Sequence, residues 1–390
     1  MFQSFRSFAV QTPRYRVTPA YPACIHEPTV YSADDVNAVN GHGFGFGDGV
    51  AVKAIGEYLE RYAAFRAVTH RKSGAIADMG LGLSERQALV QALRQTCNDN
   101  IRDDIEAHSF RLVEVTRLGT DHRVHYPAVF LSLHSFDGQI DSSFLPVRDT
   151  SGSAIHRSRA AALRGALLEF VERQCTTAMW VSRRCNDIQA FTDKLKDKKA
   201  IATHNQMAMN GNIRVLDLSF IRGVSVQFCE YSSKSEGAVV NFSCGCAADF
   251  DAETALMKAF TETWQTSLLL PQMEFFGSRD YGSNALKQNF QAANRPEFDL
   301  GVQKKPIEFG STLPGNDLDN LIQNIQTISE NVYVYFRELN IAGAELHFCR
   351  VVSPDFFIHM SPGESNNNEN AWINSFCKAS ERRLEPMPFS

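Results

Sequence analysis

Apolar positions along the chain recur at two periods, and the longest runs follow the helical one. Between Val52 and Val68, Ile55, Tyr58, Leu59 and Tyr62 fall on one stripe, which predicts an amphipathic helix with Glu57 and Glu60 off that stripe. The same period marks Arg159 to Met179, with Leu163, Ala166, Leu167, Phe170 and Val171 as the apolar face. It returns at Asp251 to Leu270, where Leu256, Phe260, Thr263 and Ser267 share one side and Lys258, Glu262 and Gln265 the other. Shorter helices are predicted after Ser84, a suitable N-cap, and around Leu318 to Ser329.

Strand-like runs fill the intervals. Phe110 to Leu118 and Val124 to Leu133 read as two strands, with Pro127 placing the second at an edge or a strand start. Ile213 to Phe220, Val224 to Tyr231 and Ala238 to Ser243 read as a meander, and Asn331 to Leu339 and Ala344 to Val352 as a further pair. Residues 191–212 read as a polar surface connection, 277–320 as an insertion or partner-facing lobe, and 363–368 as a mobile-loop composition. The end, Glu385 to Ser390, is too rich in proline for a helix and is expected to be an extended tail. The pattern is α+β: short mixed or antiparallel sheets flanked by helices, with a turn-plus-helix unit used three times.

Each unit carries an acidic or amide pair at i, i+3 after a glycine- or serine-rich turn: Glu57/Glu60, Glu169/Glu172 and Glu262/Gln265. Residues so spaced lie about 60° apart on a helix, so both side chains reach one region. One such pair on an exposed helix is an ordinary solvated face. Three of them suggest a shared cation site built from distant segments, and Mg2+ carrying a nucleotide fits carboxylate and phosphate oxygens. Lys53 and Lys258 stand four positions before the first acid in units one and three, where unit two has Gly165. Arg61 and Arg173 directly follow the second glutamate, placed to neutralise it or to reach a phosphate. The run GHGFGFGDG at 41–49 lacks the GxxxxGK[ST] pattern of a phosphate-binding loop.

Composition narrows the classes. A net charge of −5 gives no basic field for nucleic acid, and no run of apolar residues is long enough to span a bilayer. Nine scattered cysteines, an odd number, read as reduced thiols of a cytoplasmic protein, and Cys244-Gly-Cys246 lacks a second half for a zinc site. His42, His156 and His359 lie beside turns or near the tail and read as packing or surface residues.

The three units together resemble the signatures of YcaO-domain proteins. Gly41-His42-Gly43 through Lys53-Ala54-Ile55-Gly56-Glu57-Tyr58-Leu59-Glu60-Arg61 resembles a glycine-led turn followed by SAxxExxER. Asp149-Thr150-Ser151-Gly152-Ser153-Ala154 through Ala166-Leu167-Leu168-Glu169-Phe170-Val171-Glu172-Arg173 is similar to SSNGxAAG…ALxExxER. Cys244-Gly245-Cys246-Ala247-Ala248 through Glu262-Thr263-Trp264-Gln265 is similar to GxAAxxxxxALxRALxExxQ. Pro386-Met387-Pro388 resembles the proline-rich terminus of azoline-forming members, and Val352 to Met360 resembles the cyclodehydratase subunit of microcin B-type thiazole/oxazole synthetases. Lys53 replaces a serine of the pattern, Ser151 an asparagine, His156 a glycine and Lys258 an arginine, and the chain ends in Phe389-Ser390 instead of proline.

The resemblance implies a YcaO-like fold over about residues 41–380, after an extended segment at 1–40 and before a tail at 381–390, with one nucleotide site among the three units. It implies ATP-dependent cyclodehydration of Cys, Ser or Thr in a ribosomally made precursor peptide to thiazoline or oxazoline. Glu57, Glu60, Glu169 and Glu172 are then expected to hold Mg2+. Lys53, Ser151, Lys258, Glu262 and Gln265 are expected at the nucleotide, Arg61 and Arg173 at the developing charge, and the Ser390 carboxylate as base. Expected partners are the precursor peptide, an E1-like or leader-binding subunit and a flavin-dependent dehydrogenase, with no nucleic acid and no membrane. A thioamide- or amidine-forming enzyme and a non-catalytic scaffold are the alternatives. All of this requires Glu57, Glu169 and Glu262 to face one centre.

Overall fold

The computed structural model describes residues 13–19, 29–35, 39–47, 49–70, 72–134, 141–190, 196–235, 237–275, 293–295, 298–311, 317–341, 343–363 and 365–388. The segment 1–12, most of 277–320, and Phe389 and Ser390 lie outside the described residues, so the proposed terminal base does too.

In chain order the elements begin with strands β1 (Tyr15–Pro19), β2 (Thr29–Asp35) and β3 (Asn40–Gly45), helix α1 (Val50–Arg66), β4 (Lys72–Gly74) and α2 (Leu83–Thr96). Then come β5 (Phe110–Arg117), β6 (Arg123–Pro127), α3 (Asp141–Phe144), β7 (Ser153–His156), α4 (Arg159–Ser182), β8 (Arg184–Cys185) and β9 (Asp187–Ala190). The remainder is α5 (Lys198–Asn210), β10 (Gly211–Asp217), β11 (Ser225–Ser233), β12 (Phe242–Asp249), α6 (Ala252–Phe275), β13 (Gln303–Lys304), α7 (Asp317–Ile328), β14 (Tyr333–Ile341), β15 (Ala344–Val352) and α8 (Ala371–Asn374). They form antiparallel sheets β1-β2-β3 and β12-β11-β10-β9, and a six-stranded sheet β4-β5-β14-β15-β7 in which β6 also pairs with β5.

Helix α4 is the axis of the molecule. From Gln174 to Val181 it is buried on every side, as a helix without a polar face must be. It packs on β15, β7 and β12 and so joins two sheets. Its Phe170 meets Phe356 edge to face, and Phe356 stacks on Trp372 with centroids 5.5 Å apart. A second core under the six-stranded sheet is built on Phe110, Tyr126 and Tyr333.

Several elements differ from the sequence expectation. The glycine-rich stretches before the first and third acidic helices are strands, β3 and β12, not turns. Their glycines serve close approach: a Cβ on Gly43 would meet Val50 O at 2.0 Å, and one on Gly245 would meet Ala259 O at 2.5 Å. In the second unit the small residue is on the helix instead, where Gly165 faces Ala154. That explains why no lysine stands there. Within the polar stretch 191–212 lies helix α5, capped by Asp197, whose carboxylate accepts from the N–H groups of Lys199 and Ala200. Helix α2 is capped at Gly82 rather than Ser84, because Glu85 reaches back to the Gly82 N–H at 2.6 Å. The strand predicted to run to Leu133 stops at Pro127 and continues as a single helical turn. The asparagine run at 366–368 is ordered: Asn366 and Asn367 are buried and donate to main-chain carbonyls of His359, Ser361, Pro354 and Phe356.

Candidate functional site

One hydrogen bond is made three times. The main-chain N–H of His42 donates to Glu57 Oε2 at 2.8 Å, that of Ser153 to Glu169 Oε2 at 2.8 Å, and that of Cys246 to Glu262 Oε2 at 2.9 Å. Each strand residue lies 15 or 16 positions ahead of its carboxylate, so each strand anchors the first acid of the helix that follows it. A charge-assisted bond from a fixed amide removes the freedom that an acid on a helix face otherwise keeps. A fourth bond crosses between units, from the Ala248 N–H to Glu172 Oε2 at 3.2 Å.

The units close on one another. Helix α1 touches β7 of the second unit, α4 touches β12 of the third, and α6 touches β3 of the first. Glu57, Glu169 and Glu262 therefore face a common centre instead of separate regions of solvent.

The electrostatics report that convergence. Burial and then the charges of Glu169 and Glu57 push Glu60 well above the usual carboxylate range. Burial lifts Glu169 to about 7, with Asp149 adding to the rise. Burial lifts Glu172 to about 8, with Glu262 and Glu169 adding to it, and burial together with Glu57 raises Glu262. Glu60, Glu172 and Glu262 are each influenced by an acid of another of the three helices. Glu57, Glu169 and Glu172 nevertheless keep 33%, 22% and 18% of their side chains accessible, so none of the three is sealed in the core.

Arg173 sits among these acids, 3.8 Å from both Glu169 and Glu172, with its guanidinium also against the Met360 sulfur. Burial opposes its charge, and Glu169, Glu172 and Glu262 more than offset that, so its pKa is raised. Arg61 pairs with Glu57 at 2.5 Å and donates to both Asn40 oxygens. Lys53 donates to Phe44 O at 3.4 Å, and its pKa is lowered by burial and then by Lys258, which places two lysines from different units near each other. Lys258 is held by Asp249 at 2.6 Å. Ser151 and Gln265 are buried, and the Ser151 N–H donates to Asp149 at 2.9 Å.

Whether the residues fit a nucleotide-bound Mg2+ can be tested on donors. Among the described residues no three His, Cys, Asp or Glu side chains are grouped closely enough to hold a metal ion alone. Magnesium uses one or two carboxylates and completes its shell with phosphate oxygens and water, so pairs of acids spread round a cleft suit it. The Ser151 Oγ, Ser153 Oγ and His42 Nδ1 atoms are buried without a hydrogen-bond partner beside the acids, as donors awaiting a polar ligand would be. The donor set fits.

The family profile described as YcaO cyclodehydratase, ATP- and Mg2+-binding, matches residues 48–357. The chain belongs to the YcaO family. As a YcaO protein it is 27% identical over 351 residues to the microcin B17-processing protein McbD of Escherichia coli, covering 86% of this chain and 87% of the relative. A chain of the E. coli microcin synthetase McbBCD complex with pro-MccB17 bound superposes with a TM-score of 0.83 at 24% identity, covering 96% of each. The YcaO protein from Methanopyrus kandleri bound with AMPPCP and Mg2+ superposes with a TM-score of 0.55 at 17% identity, covering 88% of this chain and 86% of that one.

Sequence reasoning missed several residues of this YcaO site. Asp149 accepts from the N–H groups of Ser151 and Met360 and so ties the second unit to the segment after β15. Arg350, only 3% exposed inside β15, donates to Asp149 O at 2.7 Å and Leu131 O at 3.3 Å. An arginine within the apolar run Phe348 to Val352 was the available signal for it. His359 is buried with Nε2 2.9 Å from Ser365 O, a packing role as expected. His42, by contrast, lies in the site, where burial lowers its pKa.

Proposed function

We propose that this YcaO chain is the ATP-dependent cyclodehydratase of a peptide-modifying synthetase, acting on Cys, Ser or Thr of a ribosomally made precursor. The observation that carries this is the closed set of Glu57, Glu60, Glu169, Glu172 and Glu262 around one cleft in a chain of this family. Glu57, Glu60, Glu169 and Glu172 would hold Mg2+, and Lys53, Lys258, Ser151, Glu262 and Gln265 would contact the nucleotide. In the reaction a thiol or hydroxyl adds to the carbonyl carbon of the preceding amide, and the former carbonyl oxygen must depart. ATP, when bound, supplies the γ-phosphoryl that takes that oxygen away as phosphate, leaving ADP and a thiazoline or oxazoline. Arg173 and Arg61 neutralise the charge that gathers on these oxygens, from positions already fixed by ion pairs.

The McbBCD likeness supports a setting in which further subunits deliver the precursor and oxidise the product. No helix among the described residues is long and apolar enough to cross a membrane, and we place the synthetase in the cytoplasm. The test is the mass of a precursor peptide incubated with the complex, ATP and Mg2+: a loss of one water per ring is expected, and exchange of oxygen for sulfur would instead make it a thioamide-forming enzyme.

A further inference from the structure

Adjacent residues at the end of β12 hold opposite charges. The Ala248 N–H takes Glu172, whereas the carboxylate of Asp249 takes two cations, Lys258 Nζ at 2.6 Å from Oδ2 and Arg164 Nη2 at 3.4 Å from Oδ1. Arg164 comes from α4 and Lys258 from α6, so two of the three acid-bearing helices meet on one carboxylate.

The third helix supplies Lys53. A Cβ on Gly45 would lie 3.4 Å from Lys53 Nζ and 3.6 Å from Thr261 Cγ2, and Thr261 is one turn along α6 from Lys258. Each of α1, α4 and α6 thus carries a cation on the N-terminal side of its acids: Lys53 four residues before Glu57, Arg164 five before Glu169 and Lys258 four before Glu262. At 1.5 Å per residue the offset is about 6–8 Å along each helix. The acids form one tier and the cations the next.

The cation tier is only partly neutralised. Lys53 donates to a carbonyl, Phe44 O, and among the described residues Asp249 is the only acid paired with any of the three. The Asp249 side chain is 9% accessible, whereas Arg164 and Lys258 are 51% and 54% accessible, so two solvent-facing cations lean on an acid fixed in the protein. The Arg164 guanidinium also lies over the Phe250 ring at 5.1 Å, and the Asp251 N–H donates to Asp249 Oδ1 at 3.4 Å. Both partners therefore keep a contact when the ion pair opens.

We infer that Arg164 is a further phosphate-binding residue of the nucleotide site, and that Asp249 occupies Arg164 and Lys258 until phosphate takes its place. The inference rests on the function proposed above and adds a contact to it. A triphosphate with bound Mg2+ needs acids for the metal and cations for the phosphate oxygens that the metal leaves uncovered, and the two tiers offer these side by side. A guanidinium fork pairs with two phosphate oxygens at once, which an ammonium cannot do. A half-exposed ion pair holds weakly, so exchanging it for a phosphate costs little.

The experiment is calorimetry of Mg-AMPPCP binding to the full-length chain in its synthetase complex. Arg164→Gln should weaken binding about tenfold, and Arg164→Lys, which keeps the charge but not the fork, should weaken it less. Asp249→Asn should tighten binding about threefold by freeing both cations, and the gain should shrink in the double variant Arg164→Gln, Asp249→Asn. If Asp249 only anchors α4 and α6 to β12, its neutralisation loosens them and the affinity falls. That result, or an unchanged affinity in Arg164→Gln, would overturn the inference while leaving the cyclodehydratase reading intact. Failure of the unaltered complex to bind Mg-AMPPCP would instead remove the reading on which it rests.

Discussion

The Ala248 amide donates to Glu172, so an acid on the second helix is positioned by a strand of the third unit. Glutamine at 172 keeps an oxygen for that bond and removes only the charge. Glu172→Gln is expected to fold normally by near-ultraviolet circular dichroism and to lose about a hundredfold or more in the rate of ATP-dependent water loss. Full activity in a time course read by mass spectrometry would exclude the residue from the metal site.

Glycine positions separate packing from flexibility. A methyl group on Gly245 would sit 2.5–2.6 Å from Ala259 O, Glu262 Cβ and Thr263 N, so β12 would be forced off α6. Gly245→Ala should cost about 2–3 kcal/mol of stability and displace Glu262 as well. Gly56 lies mid-helix with nothing within 4 Å of its would-be Cβ, and Gly56→Ala should raise stability by about 0.5–1 kcal/mol. Urea unfolding of the two variants gives both signs.

The clustered acids make stability depend on pH and, on the proposed function, should make it depend on magnesium. Burial holds Glu169 at about 7 and Glu172 at about 8, above the ordinary carboxylate value of 4.5, so the folded protein binds protons that the unfolded chain has released. Stability from these groups is fully present below 4.5 and falls as pH rises through 7 to 8. Melting temperature without metal should decline across that window. Mg2+ with a non-hydrolysable nucleotide should flatten the decline, and chelation should restore it; a slope indifferent to both would separate the acids from metal binding.

The tail offers a test at its last two residues. Trp180 donates to Glu385 O at 2.9 Å and Met387 is fully buried, so the segment up to Met387 is anchored in the fold. Deleting Phe389 and Ser390 moves the terminal carboxylate back to Pro388, and should leave Mg-ATP affinity by calorimetry unchanged while lowering the cyclisation rate about a hundredfold, as displacement of a general base would.

The sequence made the three acidic helices legible because apolar stripes and paired acids survive any tertiary arrangement. It did not make β3 and β12 legible as strands. Gly41, Gly43 and Gly245 are there so that two backbones can touch, and glycine-rich runs read locally as turns. Helix α5 was hidden by polar composition although Asp197 and Ala200 mark its start. The buried asparagines after Pro362 resembled a loop because their partners, the carbonyls of 354–361, become neighbours only through the fold. Asp149 and Arg350 are joined across 201 positions, beyond the reach of any local pattern.

The ring formed by α1 on β7, α4 on β12 and α6 on β3 has a bearing on biosynthesis. A nascent chain that has emerged only as far as α5 already carries four of the five cleft acids but lacks the strand that steadies Glu172 and the helix that closes the circle. On the proposed function, nucleotide capture would be reserved for polypeptides translated beyond α6, and shorter fragments left by interrupted synthesis would compete for neither ATP nor precursor.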